Sequence, residues 1–195
     1  MAGRKQFDVD LALGRAMEAF WGRGFSATSL DVLTTATGLG RGSLYGTYGG
    51  KDELFRRALV RYADHYGALY DEALAKRPED ADASIAAFFA VTLNRIGDPA
   101  VPGGCLLAQS AAEAPTLSPE SRQLVRTLLD RQRTRLRTAL LAGGAGSRTA
   151  EELAGLVFAV NQSLAVLSRG GAGERELRAL VRTTRAAVAA ALGAQ

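Results

Sequence analysis

Apolar residues recur along this chain at spacings of three and four, the mark of helices with one buried face, and no run alternates in the manner of a strand. Leu13, Met17 and Phe20 stand at i, i+4 and i+7, which predicts a first helix over about residues 8–23, stopped by Gly24. Thr28-Ser29-Leu30-Asp31 matches a capping box with Thr28 accepting from the Asp31 amide, and it opens a short helix with Leu30, Leu33 and Ala36 inward, ended by Gly38. A third, shorter helix is expected over 41–47, broken by Gly49-Gly50. Lys51-Asp52-Glu53 then opens a long fourth helix, its two acids favoured by the helix dipole, running to Lys76 before Pro78. At 1.5 Å per residue that helix is about 37 Å long, enough to join two domains.

Further helices are predicted over about 83–96, before Gly97-Asp98-Pro99, and over 105–114, a short buried one ended by Pro115. Ser118 with Pro119 in the first turn opens a helix to about Leu141. After a glycine-rich loop at 143–147 come helices over about 149–168 and 174–192. The expected class is all-α, with nine helices and no internal repeat.

Composition narrows this only slightly. With 195 residues, 47% hydrophobic and 23% charged, the chain has globular character and is long enough to bury about 70% of its unfolded surface. Residues 153–168, uncharged but carrying Asn161 and Gln162, read as too short for a membrane span, and MAGRKQFDVD lacks the apolar core of a signal peptide, so no membrane partner and a cytoplasmic location are expected. One cysteine precludes an internal disulfide and fits a reducing compartment. Net charge is +4, distributed as +3 over residues 1–61, −6 over 62–120 and +7 over 121–195. A basic N-terminal module of this kind suits an anionic polymer, although such runs are commonly just solvated faces.

The stretch GLGRGSLYGTYGGKDELF, residues 38–55, raises the question of phosphate binding. A P-loop requires Gly, four residues, then Gly-Lys-Ser/Thr; here Gly50-Lys51 is followed by Asp52, and Tyr45 stands where the first glycine belongs. No G-x-G-x-x-G register fits either, because Ser43 or Tyr45 occupies the third glycine. A capped short helix, a glycine turn and a second short helix instead make a helix-turn-helix unit, whose phosphate is that of DNA. Gly42 and Gly46 within the second helix cost about 1 kcal/mol each relative to alanine, and their bareness lets the backbone approach DNA closely.

Phe25, Thr28-Ser29, Asp31, Ala36-Thr37-Gly38-Leu39-Gly40-Arg41-Gly42-Ser43-Leu44-Tyr45, Tyr48 and Lys51-Asp52-Glu53-Leu54-Phe55 together resemble the DNA-binding domain of TetR-family transcriptional regulators over about residues 7–58. Gly46 departs from the bulkier residue common there, which removes a base contact at that position. The resemblance implies a helix-turn-helix domain over 1–50 and a helical ligand-binding and dimerisation domain over 51–195, with 51–76 as the linking helix. It implies that Arg41 pairs with guanine or holds a phosphate, that Ser43 reaches a base edge or phosphate, and that Tyr45, Thr47, Tyr48 and Lys51 face the backbone. Thr28 and Ser29 join them at a helix N-terminus, a place that attracts phosphate. The bland readings are that Leu44 is core, Tyr45 packs inward and Thr28 is only a cap.

For the C-terminal part the resemblance implies a homodimer and a small-molecule effector. The last two helices carry Leu156, Val160 and Leu164, and Leu177, Val181 and Val188, which suit a four-helix dimer interface or an intrachain core. Candidate pocket residues are Tyr62, Tyr66, Phe88, Phe89, Leu93, Gln109, Asn161 and Gln162, a mixture of aromatics and amides typical of ligand sites, with ordinary core packing as the alternative. One histidine, His65, and one cysteine support neither a catalytic pair nor a metal site, so no enzyme, cofactor or metal is expected. Cys105, placed in the first turn of a helix, is either a thiol sensor of oxidants and electrophiles or buried packing. The expected function is a dimeric, effector-released repressor of a near-palindromic double-stranded operator; an architectural nucleic-acid binder without ligand response is the alternative from another class.

Overall fold

The computed structural model describes residues 9–193. They form nine α-helices, and no strand occurs among the described residues: α1 Val9–Ala27, α2 Leu30–Thr37, α3 Arg41–Tyr48, α4 Lys51–Ala75, α5 Ala81–Gly97, α6 Leu106–Ala112, α7 Pro119–Ala142, α8 Ser147–Arg169 and α9 Glu174–Gly193, with a 3-10 turn at Ala114–Thr116. The helix start expected at Asp8 and the leader reading of MAGRKQFDVD lie outside the described residues, wholly or in part.

Most boundaries follow from local chemistry. Gly24 interrupts α1 with φ 84° and ψ 172°, a conformation open essentially to glycine alone. Gly38 and Gly49 end α2 and α3 in the left-handed region, each sending its amide back to a carbonyl of the helix it closes. Asp80 caps α5 by accepting from Ala83 N at 2.9 Å, which starts that helix two residues before the expected point. Ser118 caps α7 as expected, with Pro119 at its first position.

Two local expectations are corrected. Ser29, not Thr28, caps α2, accepting from Val32 N at 3.2 Å; Thr28 is fully buried and its hydroxyl donates to the Gly24 carbonyl. Cys105 is the N-cap of α6 with extended backbone, and the helix proper starts at Leu106; Pro115 sits in the 3-10 turn, not after a continuous helix.

A head of α1–α3 closes on the N-terminal half of α4. Phe20 meets Phe55 edge-on at 5.0 Å, Phe25 tilts against Phe55 at 4.8 Å, and Leu33, Leu44 and Leu59 complete the layer. Phe20, Phe55, Leu33, Leu44 and Leu59, each fully buried, stabilise the fold by about 1.5–3 kcal/mol apiece relative to exposure, while Phe25 is half-buried at the rim. The other half of α4 packs with α5 and α7, and α8 and α9 close the body over Tyr70, Phe88, Phe89, Leu136, Val157 and Leu164. The longest helix therefore belongs to both regions.

By length and mean hydropathy α8 is able to cross a membrane, because it begins at Ser147 and is longer than the uncharged run alone suggests. In this fold it is a core helix: Leu153, Ala154, Val157, Asn161, Leu164 and Ala165 are buried against α5, α6, α7 and α9.

Candidate functional site

The outer face of α3 carries the N-terminal candidates. Leu44 and Tyr48 point inward and anchor the helix, which leaves Arg41, Gly42, Ser43, Tyr45 and Gly46 exposed. A methyl group built at Gly42 or Gly46 meets nothing within 4 Å, so the backbone of α3 presents a flat, unobstructed strip. Tyr45 is 52% exposed, which removes the inward-packing alternative. Arg41 reaches back to Asp31 on α2 at 2.7 Å, an exposed pair that holds the guanidinium at the edge of the strip without burying it. Thr47 is half-buried, and Ser29 is exposed at the start of α2.

Lys51, at the first position of α4, lays its ammonium 4.2 Å from the centre of the Phe25 ring. Burial draws its pKa down, and the Glu113 carboxylate partly offsets this.

Two expected phosphate contacts are corrected by burial. Thr28 uses its hydroxyl inside the chain, as described above. Tyr48 is 1% exposed and donates to the Val9 carbonyl at 2.9 Å, so its hydroxyl ties α3 to the start of α1 instead of facing outward.

The head is fastened to the body by side chains distant in sequence. Glu113 at the end of α6 accepts from Phe25 N at 2.6 Å and Ser26 N at 3.2 Å, capping the turn that Gly24 creates. Arg169, ending α8, donates to the carbonyls of Trp21 at 2.6 Å and Gly103 at 3.1 Å. Ser121 donates to the Asp52 carboxylate at 2.8 Å, and Ser118 does so at 3.1 Å.

The expected pocket residues do not converge. Phe88 and Phe89 are wholly buried, Phe88 stacking on Tyr70 at 4.4 Å, and act as core. Asn161 accepts from Thr92, whose hydroxyl also meets Tyr70 at 2.7 Å. Gln162 donates to Gln132 at 2.8 Å, Gln109 lies beside Gly24, and Leu93 borders a separate surface pocket toward α9. His65 is exposed, its ring edge 4.8 Å from Tyr66. Only Tyr62 and Tyr66 share a cavity, a space of about 20 Å³ with Tyr70, Arg95, Cys105 and Gln132 on its walls. A larger open groove of about 700 Å³ runs between α4 and α7, with Asp71, Leu74, Arg131 and Arg135 among its lining.

Arg95 is the residue the pocket reading missed. It is 5% exposed, its Nη1 donates to the Tyr62 hydroxyl, and its guanidinium lies 5.3 Å from the Tyr66 ring centre. Its signal was present in the spacing Ile85, Phe88, Thr92, Arg95, which continues the buried stripe of α5 with a cation. Beside it, burial pushes the Cys105 thiol up, while Arg95, the Tyr62 hydroxyl and the Ala108 amide more than offset this and hold it below the ordinary thiol value. Among the described residues no cluster of metal-ligating side chains occurs.

The expected dimer stripe is also largely corrected. Leu164, Leu177, Val181 and Val188 are buried within the chain, because α8 and α9 turn those faces onto α5 and each other. The apolar side chains left outward on these helices are Leu156, Val166, Leu167 and Leu180, with Val160 half-buried beside them.

Residues 12–58 match the model of bacterial regulatory proteins of the tetR family, and residues 81–180 match that of the tetracyclin repressor-like C-terminal domain. The chain is 36% identical over 134 residues to the HTH-type transcriptional repressor ComR of Escherichia coli, an alignment covering 69% of this chain and 62% of ComR. It is likewise 36% identical over 120 residues to YezE of Bacillus subtilis, an HTH-type transcriptional regulator, covering 62% of this chain and 61% of YezE. The aligned part thus spans less than two thirds of either curated relative. In structure the chain is similar to a cysteine mutant of the TetR family transcriptional regulator CifR complexed with 26-bp double-strand operator DNA, with TM-score 0.83, 32% identity, and coverage of 95% of this chain and 99% of that one.

Proposed function

Because this chain belongs to the TetR family of transcriptional regulators, we propose that it is a ligand-responsive repressor that binds a near-palindromic double-stranded operator as a homodimer. The observation that carries the reading is the outer strip of α3, with Arg41, Ser43 and Tyr45 exposed around two glycines that leave the backbone bare. In a major groove, Arg41 and Ser43 meet base edges or phosphate and Tyr45 meets the backbone, with Lys51 and Ser29 at its margins. CifR's capture on operator DNA supports the same mode here. Residues 1–50 serve as the DNA-reading unit and 51–195 as the effector and dimer unit, α4 linking them; work on DNA places the protein in the cytoplasm and asks for no catalytic chemistry.

The outward stripe of Leu156, Val166, Leu167 and Leu180 is the surface we assign to the partner copy, which sets two α3 helices about 34–36 Å apart. Selection of bound sequences from random DNA tests the function. A two-half-site consensus is expected; binding without sequence preference would favour the architectural alternative. A stable monomer in sedimentation at micromolar concentration would remove the dimer.

A second reading has its own observation. The Cys105 thiol sits against the Arg95 cation in the small cavity they share with Tyr62 and Tyr70. Alkylation of the thiol would bar it from ionising beside Arg95 and would crowd the cavity wall, with operator release as the outcome. Release by a small maleimide that Cys105→Ser abolishes would support this switch, and unimpaired binding after complete modification would exclude it.

A further inference from the structure

Arg41 is the only charged residue of α3, and little holds it in place. It is the first residue of the helix, its N-cap Gly40 offers no side chain, and a methyl group built at Gly40 or Gly42 meets nothing within 4 Å. Among the described residues its guanidinium has one hydrogen-bond partner, the Asp31 carboxylate in the first turn of α2, to which Nη2 donates at 2.7 Å. Asp31 has other cations at hand. With Arg15 and Arg23 of α1 it lines the open groove between α1 and α2, yet among the described ion pairs it takes Arg41 alone. The pair also spans the turn between two helices that the buried Leu33 and Leu44 fix in place.

This contact has opposite consequences for affinity and for selectivity. A carboxylate within hydrogen-bond distance of a DNA-facing guanidinium brings negative charge towards every phosphate, whatever the sequence. For general affinity it is a cost. Its benefit is geometric: a bidentate contact to guanine needs two parallel donors of one fork, and an unheld arginine must lose rotamer freedom to present them. Asp31 takes one N–H of the fork and leaves the others free for guanine O6 and N7.

We propose that Asp31 is a positioning residue for Arg41, lowering affinity for DNA of any sequence and raising discrimination at the base that Arg41 meets. The inference rests on the reading of α3 as the DNA-facing helix, and adds to it a residue of α2 that itself touches no base. Both side chains are exposed, at 63% for Arg41 and 75% for Asp31, so their substitution leaves the core intact.

The test measures equilibrium binding to three DNAs: the duplex recovered by selection from random sequence, that duplex changed at the base pair sensitive to Arg41→Ala, and a scrambled duplex. Asp31→Ala should tighten binding to the scrambled duplex and lower discrimination at that base pair, each by about two- to five-fold, the scale of an exposed ion pair. Asp31→Asn, whose amide oxygen still accepts from Nη2, should tighten scrambled binding equally and keep most of the discrimination. In an Arg41→Ala background, Asp31→Ala should leave discrimination unchanged. A carboxylate that only supports the start of α2 would alter no ratio, and one that merely sequesters Arg41 would, once removed, raise discrimination along with affinity. Either result overturns the proposal. A base pair sensitive to Arg41→Ala but indifferent to Asp31→Ala also overturns it, and leaves the reading of α3 standing. If no base pair responds to Arg41→Ala, the base contact fails and the proposal falls with it.

Discussion

Adding one methyl group at Gly24 and one at Gly42 should have opposite effects on stability. At Gly24 the backbone stands at φ 84° and ψ 172°, where a side chain costs about 1–3 kcal/mol. The new Cβ would also lie 2.1 Å from a Glu113 carboxylate oxygen and 2.7 Å from Gln109 Nε2. Glu113 is flexible enough to swing away, but only by releasing the Phe25 and Ser26 amides, a further loss of about 1–3 kcal/mol. Gly24→Ala is therefore expected to destabilise the fold by about 2–6 kcal/mol, at roughly 2–4 °C of thermal midpoint per kcal/mol for a chain of this length. Gly42 is an ordinary exposed helical position with open space around it, so Gly42→Ala should stabilise by up to about 1 kcal/mol. Its penalty should appear in operator affinity, where the methyl intrudes on the DNA-facing strip. Urea unfolding of both variants measures the first quantities and equilibrium operator binding the last. A Gly24→Ala cost below about 1 kcal/mol, or a change of the same sign at both sites, would refute the reasoning.

Arg41→Ala should weaken specific binding by about 1–3 kcal/mol and relax discrimination at one base position; unchanged discrimination would make Arg41 a phosphate anchor. Lys51→Ala should weaken binding to all sequences alike and lower the salt slope by about one; an unchanged slope would show that the ammonium stays on the Phe25 ring in the complex. Tyr48→Phe loses the bond to the Val9 carbonyl and should cost about 0.5–1.5 kcal/mol of stability with operator affinity intact, whereas Tyr45→Phe should do the reverse. The Cys105 thiol is held below its ordinary value of 9.0, and an acid with a lowered folded pKa contributes stability that is lost as pH falls through that folded value. The stability of wild type relative to Cys105→Ala, from urea midpoints, should therefore rise with pH over the window beneath 9.0 and level off above it; a difference that falls with pH would contradict the Arg95 pairing.

Helix number, order and most termini were legible because they depend on local signals: glycines at the ends of α2 and α3, serine and proline opening α7, acids in the first turn of α4. The cap of α2 was misplaced by one residue since Thr28 and Ser29 are both good caps three residues before an amide. What decided between them was the buried carbonyl of Gly24, which takes the Thr28 hydroxyl. Tyr48 and the α8–α9 stripe failed for a related reason. Periodicity says that a face is apolar, but not whether this chain or another copy covers it, and Leu164 and Val188 proved to be covered at home. The pocket was least legible, because aromatics at helical spacing read alike as lining or as core. Arg95 carried the informative anomaly, a cation in register with Phe88 and Thr92, and composition averaged it away.

Under the proposed function, the same geometry offers a path by which an event inside the body would reach α3. The cavity wall at Cys105 continues into Gly103, whose carbonyl is held by Arg169, and Arg169 also holds the carbonyl of Trp21, one turn before the break in α1 at Gly24. A second route passes from Arg95 through the Tyr62 hydroxyl and ring to the Trp21 indole. Both routes converge on Trp21, in the turn before Gly24, and Glu113 fastens Phe25 and Ser26, just after it, to α6. Part-buried hydrogen bonds between charged side chains and the backbone, as these are, are worth about 1.5–3 kcal/mol each. Exchanging one of them is enough to supply the roughly 1–3 kcal/mol of coupling typical of an allosteric protein. Tighter fastening would make the body's state irrelevant to α3, and a head joined through α4 alone would not sense it through α1.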